Sequence, residues 1–264
     1  MAIRVALNER AAALPALPAL PASAVSLWHV DAGWAMFAGP LHHNALHAHS
    51  AAVYLAGLYG TFRLRIRDGD WVLCRSAVIR AGTPYEFDVA GDPLGVFYLE
   101  PNLGGADALA VLTGSNEEIG GVLVGRRDRS LLRACFERRS DAGEMHAAMM
   151  ELLQYGARRT HRSVDMRITR AVEQMQMLTP ESYATVSAAE AAGLSASRFQ
   201  HLFTREVGVP FRRYRLWHRL RMAIREAAQG ASLTNAAHTA GFADQAHFSR
   251  AFRATFGAPP SRGL

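Results

Sequence analysis

The spacing of apolar and polar positions predicts strands in the first part of the chain. Residues 61–67 alternate apolar residues with three Arg, which is the period of a strand with one buried face. The Asp-Gly step at residues 68–69 then favours a hairpin turn. Short strands separated by Gly and Pro indicate a small barrel or sandwich. The other strands that we predict are residues 33–38, 52–59, 71–80 and 95–100.

The pattern becomes helical from residue 131 onwards. Asp165 stands directly before one such segment, where its carboxylate can cap the free N–H groups of a first helical turn. A stretch of polar and basic residues precedes it, which is typical of a linker. The helices that we predict are residues 131–139, 142–155, 166–178 and 211–229.

These patterns predict a multidomain chain. Residues 1–24 are rich in Ala, Leu and Pro, and we expect a disordered leader there. Residues 25–157 are predicted to form an all-β barrel followed by helices. Residues 158–164 are the predicted linker, and residues 165–264 are predicted to form an all-α domain.

A near-repeat occupies the last quarter of the chain. Residues 193–203 and 241–252 begin with Gly, share a Phe-rich pattern, and are each followed by a further Gly and Pro. A helix-turn-helix needs a turn residue that tolerates positive φ, which glycine does at little cost. Ser195 and Asp244 stand where each second helix would need an N-cap. We therefore predict two helix-turn-helix units in tandem, joined by a long helix.

The predicted helix between the units has a length that suits DNA. At about 1.5 Å per residue, residues 211–229 span roughly 28 Å, and successive major grooves lie about 34 Å apart. The helix also carries six Arg, although a core connector with a solvated face would show the same pattern. We expect each monomer to place two recognition helices in adjacent major grooves. The six Arg of this predicted helix are Arg212, Arg213, Arg215, Arg219, Arg221 and Arg225.

The division of charge agrees with a nucleic-acid-binding C-terminal half. Residues 158–264 hold 16 Arg against 7 Asp and Glu, a net charge of +9. The rest of the chain holds 13 Arg against 16 Asp and Glu, a net charge of −3, which gives the total of +6. A basic domain beside an acidic one favours binding to DNA by the basic one.

Cysteine usage and hydropathy indicate the cellular compartment in which we expect the protein. Cys74 and Cys135 have no CxxC partner and are expected to be reduced thiols in a cytoplasmic protein. No apolar run reaches the length of about 18 residues that a membrane span requires. We therefore expect no membrane partner.

The second repeat carries a specific resemblance. The run Gly-Phe-Ala-Asp-Gln-Ala-His-Phe-Ser-Arg-Ala-Phe-Arg at residues 241–253, followed by Phe256-Gly257 and Pro259-Pro260, resembles the signature of AraC/XylS-type transcription regulators. The resemblance covers roughly residues 165–261. It implies a seven-helix domain that binds double-stranded DNA as an activator or repressor, with RNA polymerase as a further partner. It implies groove-facing side chains at Ser197, Gln200, His201, Gln245, Ala246, Ser249 and Arg250.

The chemistry of these side chains suits base contacts in part. Gln can pair with adenine and Arg with guanine, each worth roughly 1–3 kcal/mol of discrimination. Arg198, Arg205 and Arg253 are better suited to phosphates, which set affinity and register. Family members often carry Arg at the position of His201 and a larger residue at that of Ser197, so the chain departs from the family there.

The N-terminal part resembles the cupin-like regulatory barrels of the same kind of protein. Four His, at positions 42, 43, 47 and 49, precede the predicted strands as metal ligands do in cupins. A cupin metal site would add a Glu soon afterwards and a later His. Residues 50–59 contain no Glu, and Tyr85 stands where the later His would fall. We therefore expect no metal, no cofactor and no catalytic residue.

An effector pocket inside the barrel would be apolar with a few polar groups. The candidates are His47, Tyr54 and Tyr85. The leading hypothesis is a DNA-binding regulator controlled by a small molecule of unknown identity. One alternative is a cupin-type metalloenzyme fused to a DNA-binding domain. Another is a constitutive regulator whose barrel only dimerises.

The second predicted helix carries an apolar stripe with two interpretations. Core packing against the barrel is one, and a helix that pairs two copies into a homodimer is the other. The stripe consists of Met145, Met149, Leu152 and Leu153.

Overall fold

The structure is a computed structural model that describes residues 26–114, 117–126, 131–157, 164–178, 185–262 and 264. The predicted leader, residues 1–24, lies outside the described residues, and so does nearly all of the predicted linker. The predicted fold class is confirmed: β-sheets come first and a helical part follows.

The described strands form two antiparallel sheets that face each other as a barrel. One sheet has the order β1-β2-β9-β4-β7-β11-β10, and the other has the order β3-β8-β5-β6. The strands are β1 (Leu27–Asp31), β2 (Trp34–Pro40), β3 (His43–His47), β4 (Ala52–Gly57), β5 (Phe62–Ile66), β6 (Trp71–Cys74), β7 (Ser76–Ile79), β8 (Tyr85–Asp88), β9 (Pro93–Leu99), β10 (Glu118–Ile119) and β11 (Val122–Gly125).

The prediction of one strand at residues 71–80 is wrong, because this segment forms two strands. The chain changes sheets at Arg75: β6 pairs with β5 in one sheet, and β7 pairs with β4 and β11 in the other. Strands β1, β3, β8, β10 and β11 were not predicted. Most of these strands are short. They form because of pairing with neighbouring strands, and their own sequences lack a clear alternation of apolar and polar residues.

Helices cover the outer face of the larger sheet and then form the C-terminal domain. Among the described residues, α4 to α9 belong to that domain. The helices are α1 (Gly105–Leu109), α2 (Leu131–Arg138), α3 (Ala142–Ala157), α4 (Met166–Met177), α5 (Thr185–Ala191), α6 (Ala196–Val207), α7 (Phe211–Ala228), α8 (Leu233–Thr239) and α9 (Gln245–Phe256). The predicted cap of α4 is confirmed, because the Asp165 carboxylate accepts from the Arg167 backbone N–H at 2.9 Å.

Two apolar clusters hold the barrel together. One lies between the sheets and continues into the C-terminal domain. The other lies between the outer face of the larger sheet and helices α1 to α3. Met145, Met149 and Leu153 of α3 are buried in this second cluster. The apolar stripe of α3 therefore packs against the barrel, as the core interpretation predicts.

The C-terminal domain packs directly on the barrel, which the sequence did not indicate. The Asn44 side-chain amide donates to the Phe256 carbonyl at 2.7 Å, and the Ala45 N–H donates to the Gly257 carbonyl at 3.1 Å. Strand β3 therefore contacts the end of α9. A second junction joins the end of β9 to α7, where the buried Glu100 carboxylate accepts from the Trp217 indole at 2.9 Å.

Candidate nucleic-acid interface

The first helix-turn-helix consists of α5 and α6. Gly193 in the turn has φ of 64°, the left-handed region that the predicted turn requires. The Ser195 hydroxyl accepts from the Arg198 N–H at 3.4 Å and caps α6, as predicted. Phe199 and Phe203 are buried, so the inner face of α6 is fixed against α7. The opposite face of α6 points outward.

The second unit, α8 and α9, repeats this construction. Gly241 has φ of 74° in its turn, and the Asp244 carboxylate accepts from the His247 N–H at 2.6 Å. Both features were predicted. Phe248 and Phe252 are buried on the inner face of α9. The two units thus present two helices of equal length, α6 and α9, and α7 joins the two units in the chain.

Ten side chains are predicted to contact DNA, and all ten lie on the outward faces of these two helices. Ser249 is half-buried and the other nine are exposed, so a ligand can reach every one. The Thr234 hydroxyl on α8 donates to the Gln245 side-chain oxygen at 2.9 Å and orients that amide, a contact without a sequence signal. The ten are Ser197, Arg198, Gln200, His201, Arg205, Gln245, Ala246, Ser249, Arg250 and Arg253.

Two of the six Arg of α7 make contacts within the protein and do not belong to a free basic face. Arg219 donates to the Ala240 carbonyl at 3.0 Å, and its guanidinium lies 4.2 Å from the centre of the Phe242 ring. It therefore fixes the end of α8 to α7. Arg221 is buried and forms an ion pair with Glu100. Arg212 and Arg213 remain exposed.

A small pocket lies where the barrel meets α9. Its cavity volume is about 40 Å³, which is room for one or two water molecules. His47 and Tyr85, two of the three effector-pocket candidates, line it, with ring centres 4.4 Å apart. Phe252 and Phe256 of α9 form part of the wall. Tyr54 does not join them, because it lies in the cluster on the outer face of the larger sheet.

The polar groups around this pocket are uncharged near neutral pH. Burial lowers the pKa of His47 to about 4 and lowers the pKa of His49 well below its ordinary value. Burial also raises the pKa of Tyr85 well above its ordinary value. The Tyr85 hydroxyl and His49 Nδ1 are buried without a hydrogen-bond partner in the described structure. The pocket is therefore neutral, and among its lining residues the Tyr85 hydroxyl is a hydrogen-bonding group without a partner in the described structure.

The described residues offer no ligand set for a metal. Within the described ranges, no three His, Cys, Asp or Glu lie close enough together to hold an ion. His43 instead faces the Glu86 carboxylate at 3.2 Å, and the His47 Nδ1–H donates to the Ala45 carbonyl at 2.7 Å. None of the described helices is both long and apolar enough to cross a bilayer.

Comparisons with known proteins agree with this geometry. A helix-turn-helix domain family matches residues 188–263. The transcriptional activator RhrA of Rhizobium meliloti (strain 1021) is 32% identical over 142 residues, which cover 50% of this chain and 44% of RhrA. The chain thus spans less than half the length of this curated relative.

Solved structures of ToxT share the two-part arrangement. Unsaturated fatty acid-bound ToxT from Vibrio cholerae strain SCE256 has a TM-score of 0.56 and 11% identity, covering 89% of this chain and 96% of that one. ToxT from Vibrio cholerae O395 has a TM-score of 0.55 and 10% identity, covering 88% and 97%. The family match and the tandem units identify residues 188–263 as a helix-turn-helix domain, and the ToxT matches show that the chain shares their fold, a β-sheet part followed by a helical part.

Proposed function

We propose that the chain is a sequence-specific transcription regulator whose DNA binding responds to a small molecule at the barrel. The observation that carries the proposal is the pair of outward helix faces on α6 and α9, held by one 18-residue helix. Each face carries polar and basic side chains that can reach base edges or phosphates. The similarity to RhrA, which is named a transcriptional activator, supports activation as the direction of control.

The two faces divide into base-reading and phosphate-binding positions in this proposal. Gln245 and Arg250 suit base edges, because their side chains form two hydrogen bonds at once. Gln200, Ser197 and His201 read a second groove from α6. Arg198, Arg205 and Arg253 bind phosphates. The outer residues of α6 and α9 differ, so the site of one monomer is asymmetric.

Selection of bound DNA from a random pool tests this division. The Arg250→Ala variant should relax the preference at one base position and leave the others unchanged. Arg253→Ala, on the same helix, should weaken binding to all sequences about equally and reduce the salt dependence of the affinity. Arg138→Ala, an exposed Arg on α2, is the matched control and should bind as the parent does. Equal behaviour of the Arg250 and Arg253 variants on a panel of sites would contradict the division.

Control by a small molecule is supported by the position of α9, which forms part of the pocket wall and also carries side chains that we propose to contact DNA. Phe252 and Phe256 face the pocket and belong to the helix that carries Gln245 and Arg250. In this proposal, a ligand larger than one or two water molecules displaces Phe256, which sits against His49 and Tyr98 with ring centres 5.1 and 5.8 Å away. Ligand entry would therefore move α9 relative to the barrel.

An unsaturated fatty acid is the first probe, because ToxT has been crystallised with one. DNA affinity is measured by fluorescence anisotropy with and without a monounsaturated fatty acid below its micellar concentration. A change in affinity in the parent, reduced in Tyr85→Phe, supports the pocket. An unchanged affinity removes fatty acids as effectors and leaves DNA binding standing. The protein would act in the cytoplasm with the DNA, with RNA polymerase as its partner at promoters, and the proposal assigns it no catalytic residue.

A further inference from the structure

The Gln245 side chain at the beginning of α9 is held by a hydrogen bond from the preceding helix. The Thr234 hydroxyl on α8 donates to Gln245 Oε1 at 2.9 Å. Both side chains are exposed on the outer surface of the second helix-turn-helix unit. The contact therefore acts on a side chain that a ligand can reach.

The two helices that carry this contact are fixed relative to each other. In the turn between them, the Phe242 N–H donates to the Ala237 carbonyl at 2.9 Å. The Phe242 ring is buried and lies 5.5 Å from the ring of Phe248 on α9, centre to centre. Arg219 of α7 donates to the Ala240 carbonyl at 3.0 Å at the end of α8. The hydroxyl and the amide are therefore presented to each other by a rigid pair of helices.

The direction of this hydrogen bond decides which chemical group Gln245 offers to a ligand. The amide oxygen is directed towards Thr234, so the amide nitrogen on the same carbon is directed away from it. Nε2 carries two N–H donors and no acceptor. In the major groove, guanine, adenine and thymine each present an acceptor atom, whereas cytosine presents only its N4 donor group. A Gln side chain fixed in this way suits a base with an acceptor and opposes cytosine.

The first unit does not carry this pair of side chains. Aligning the turn glycines of the two units places Val186 at the position of Thr234 and Ser197 at the position of Gln245. A Val side chain has no hydrogen-bond donor. The fixed amide is therefore particular to the second unit.

We propose that Thr234 is a positioning residue that holds Gln245 Nε2 towards the groove, so that the second unit selects a base with a major-groove acceptor and rejects cytosine. The inference rests on the proposed function, because Gln245 has to reach a base edge. Without the Thr234 hydroxyl the amide can rotate by half a turn and offer its oxygen instead. That oxygen accepts from the cytosine N4 group, so the rejection of cytosine is lost.

Binding of the full-length protein to four DNA duplexes tests this role. The duplexes differ only at the base position whose preference is lost in Gln245→Ala, and the affinities are measured by fluorescence anisotropy. The parent should bind the cytosine duplex most weakly. Thr234→Val keeps the shape of the side chain without the hydroxyl, so discrimination against cytosine should fall by roughly 2- to 12-fold, the equivalent of one net hydrogen bond. Thr234→Ser keeps the donor and should discriminate as the parent does.

Two controls separate positioning from a structural role. Thr239→Val removes a hydroxyl from another exposed Thr of α8 and should bind all four duplexes as the parent does. In the Gln245→Ala background, Thr234→Val should leave the ratios between the four affinities unchanged, because the side chain that it positions is absent.

The outcomes distinguish this inference from the proposed function. Equal weakening of all four duplexes by Thr234→Val would overturn the inference, because it indicates a phosphate contact or a loss of structure. So would unchanged discrimination, a parent that binds the cytosine duplex as well as the others, or a Gln245→Ala variant that keeps every base preference. These results leave sequence-specific DNA binding by the parent intact. A parent that binds all DNA sequences alike refutes the proposed function and this inference together.

Discussion

Replacing Glu100 by Gln should destabilise the protein far more than the same change at a surface ion pair. The Glu100 side chain is 1% exposed and pairs with Arg221, whose side chain is 7% exposed. The amide oxygen of Gln can still accept from the Trp217 indole. The lost charge, however, leaves the Arg221 cation buried and uncompensated. Breaking a buried pair in this way costs about 3–5 kcal/mol, and we expect the lower end because the shape is kept.

The matched control is Asp107→Asn. Asp107 pairs with Arg80 at 3.0 Å, but these side chains are 27% and 52% exposed. An exposed pair contributes about 0–1 kcal/mol. The free energy of unfolding is measured by urea titration at pH 7 for the parent and both variants. A difference between the two variants of less than about 1 kcal/mol, the upper limit for an exposed pair, would refute the reasoning that burial makes the Glu100 pair critical.

A double-mutant cycle separates the pair from the packing around it. In Glu100→Gln combined with Arg221→Met, neither charge remains, so the penalty for an unpaired buried charge disappears. The double variant should therefore lose clearly less stability than the sum of the single variants. Additive losses would show that Glu100 acts through the indole hydrogen bond and packing alone.

Two further predictions concern the glycine that follows α9 and two buried histidines. Gly257→Ala should lower the free energy of unfolding, measured by urea titration, more than Gly230→Ala does. Both glycines have positive φ (70° and 96°), so both substitutions strain the backbone. A Cβ at Gly257 would also collide with the Ala45 carbonyl oxygen, whereas a Cβ at Gly230 would meet nothing within 4 Å. Equal losses would show that backbone strain alone, about 1–2 kcal/mol, decides both. For pH, burial lowers the folded-state pKa of His47 and His218 from 6.5 to about 4. The unfolded chain then binds more protons below pH 6.5, so stability is full above that pH and falls as the pH drops towards 4, by about 2 kcal/mol per histidine at pH 5. His47→Gln should flatten this dependence and exposed His238→Gln should not, which urea titrations at pH 7 and pH 5 check.

The helical domain could be predicted from the sequence because its signals are local. Ser195, Asp244 and Asp165 each cap a helix within three residues of themselves, and Gly193 and Gly241 mark turns by their own backbone conformation. Local signals also placed the ends of α7. No contact between residues far apart in the chain was needed to recognise the two helix-turn-helix units. The side chains expected to meet DNA are accessible, and their contacts with DNA remain predictions.

The barrel could be predicted only in outline, because its details depend on distant partners. Every residue of β4 is buried, on both faces of the sheet, so alternation could not show that Tyr54 faces the helices rather than the pocket. From the local pattern alone, Arg221 has the character of a solvated or DNA-facing residue. Its burial follows from Glu100, 121 residues away in the chain, which no local pattern connects to it.

The same distant contacts decide how the barrel can influence DNA reading. The Asn44 and Ala45 contacts hold the end of α9, and Glu100 holds the middle of α7, which joins the two readers. A ligand that displaces Phe256 would loosen the first junction and leave the second intact. The α9 side chains that we propose to face the DNA groove would then shift relative to those of α6, while α7 stayed against the barrel. In the proposed regulator, effector binding should therefore change the half of the DNA site assigned to Gln245 and Arg250 more than the half assigned to Gln200.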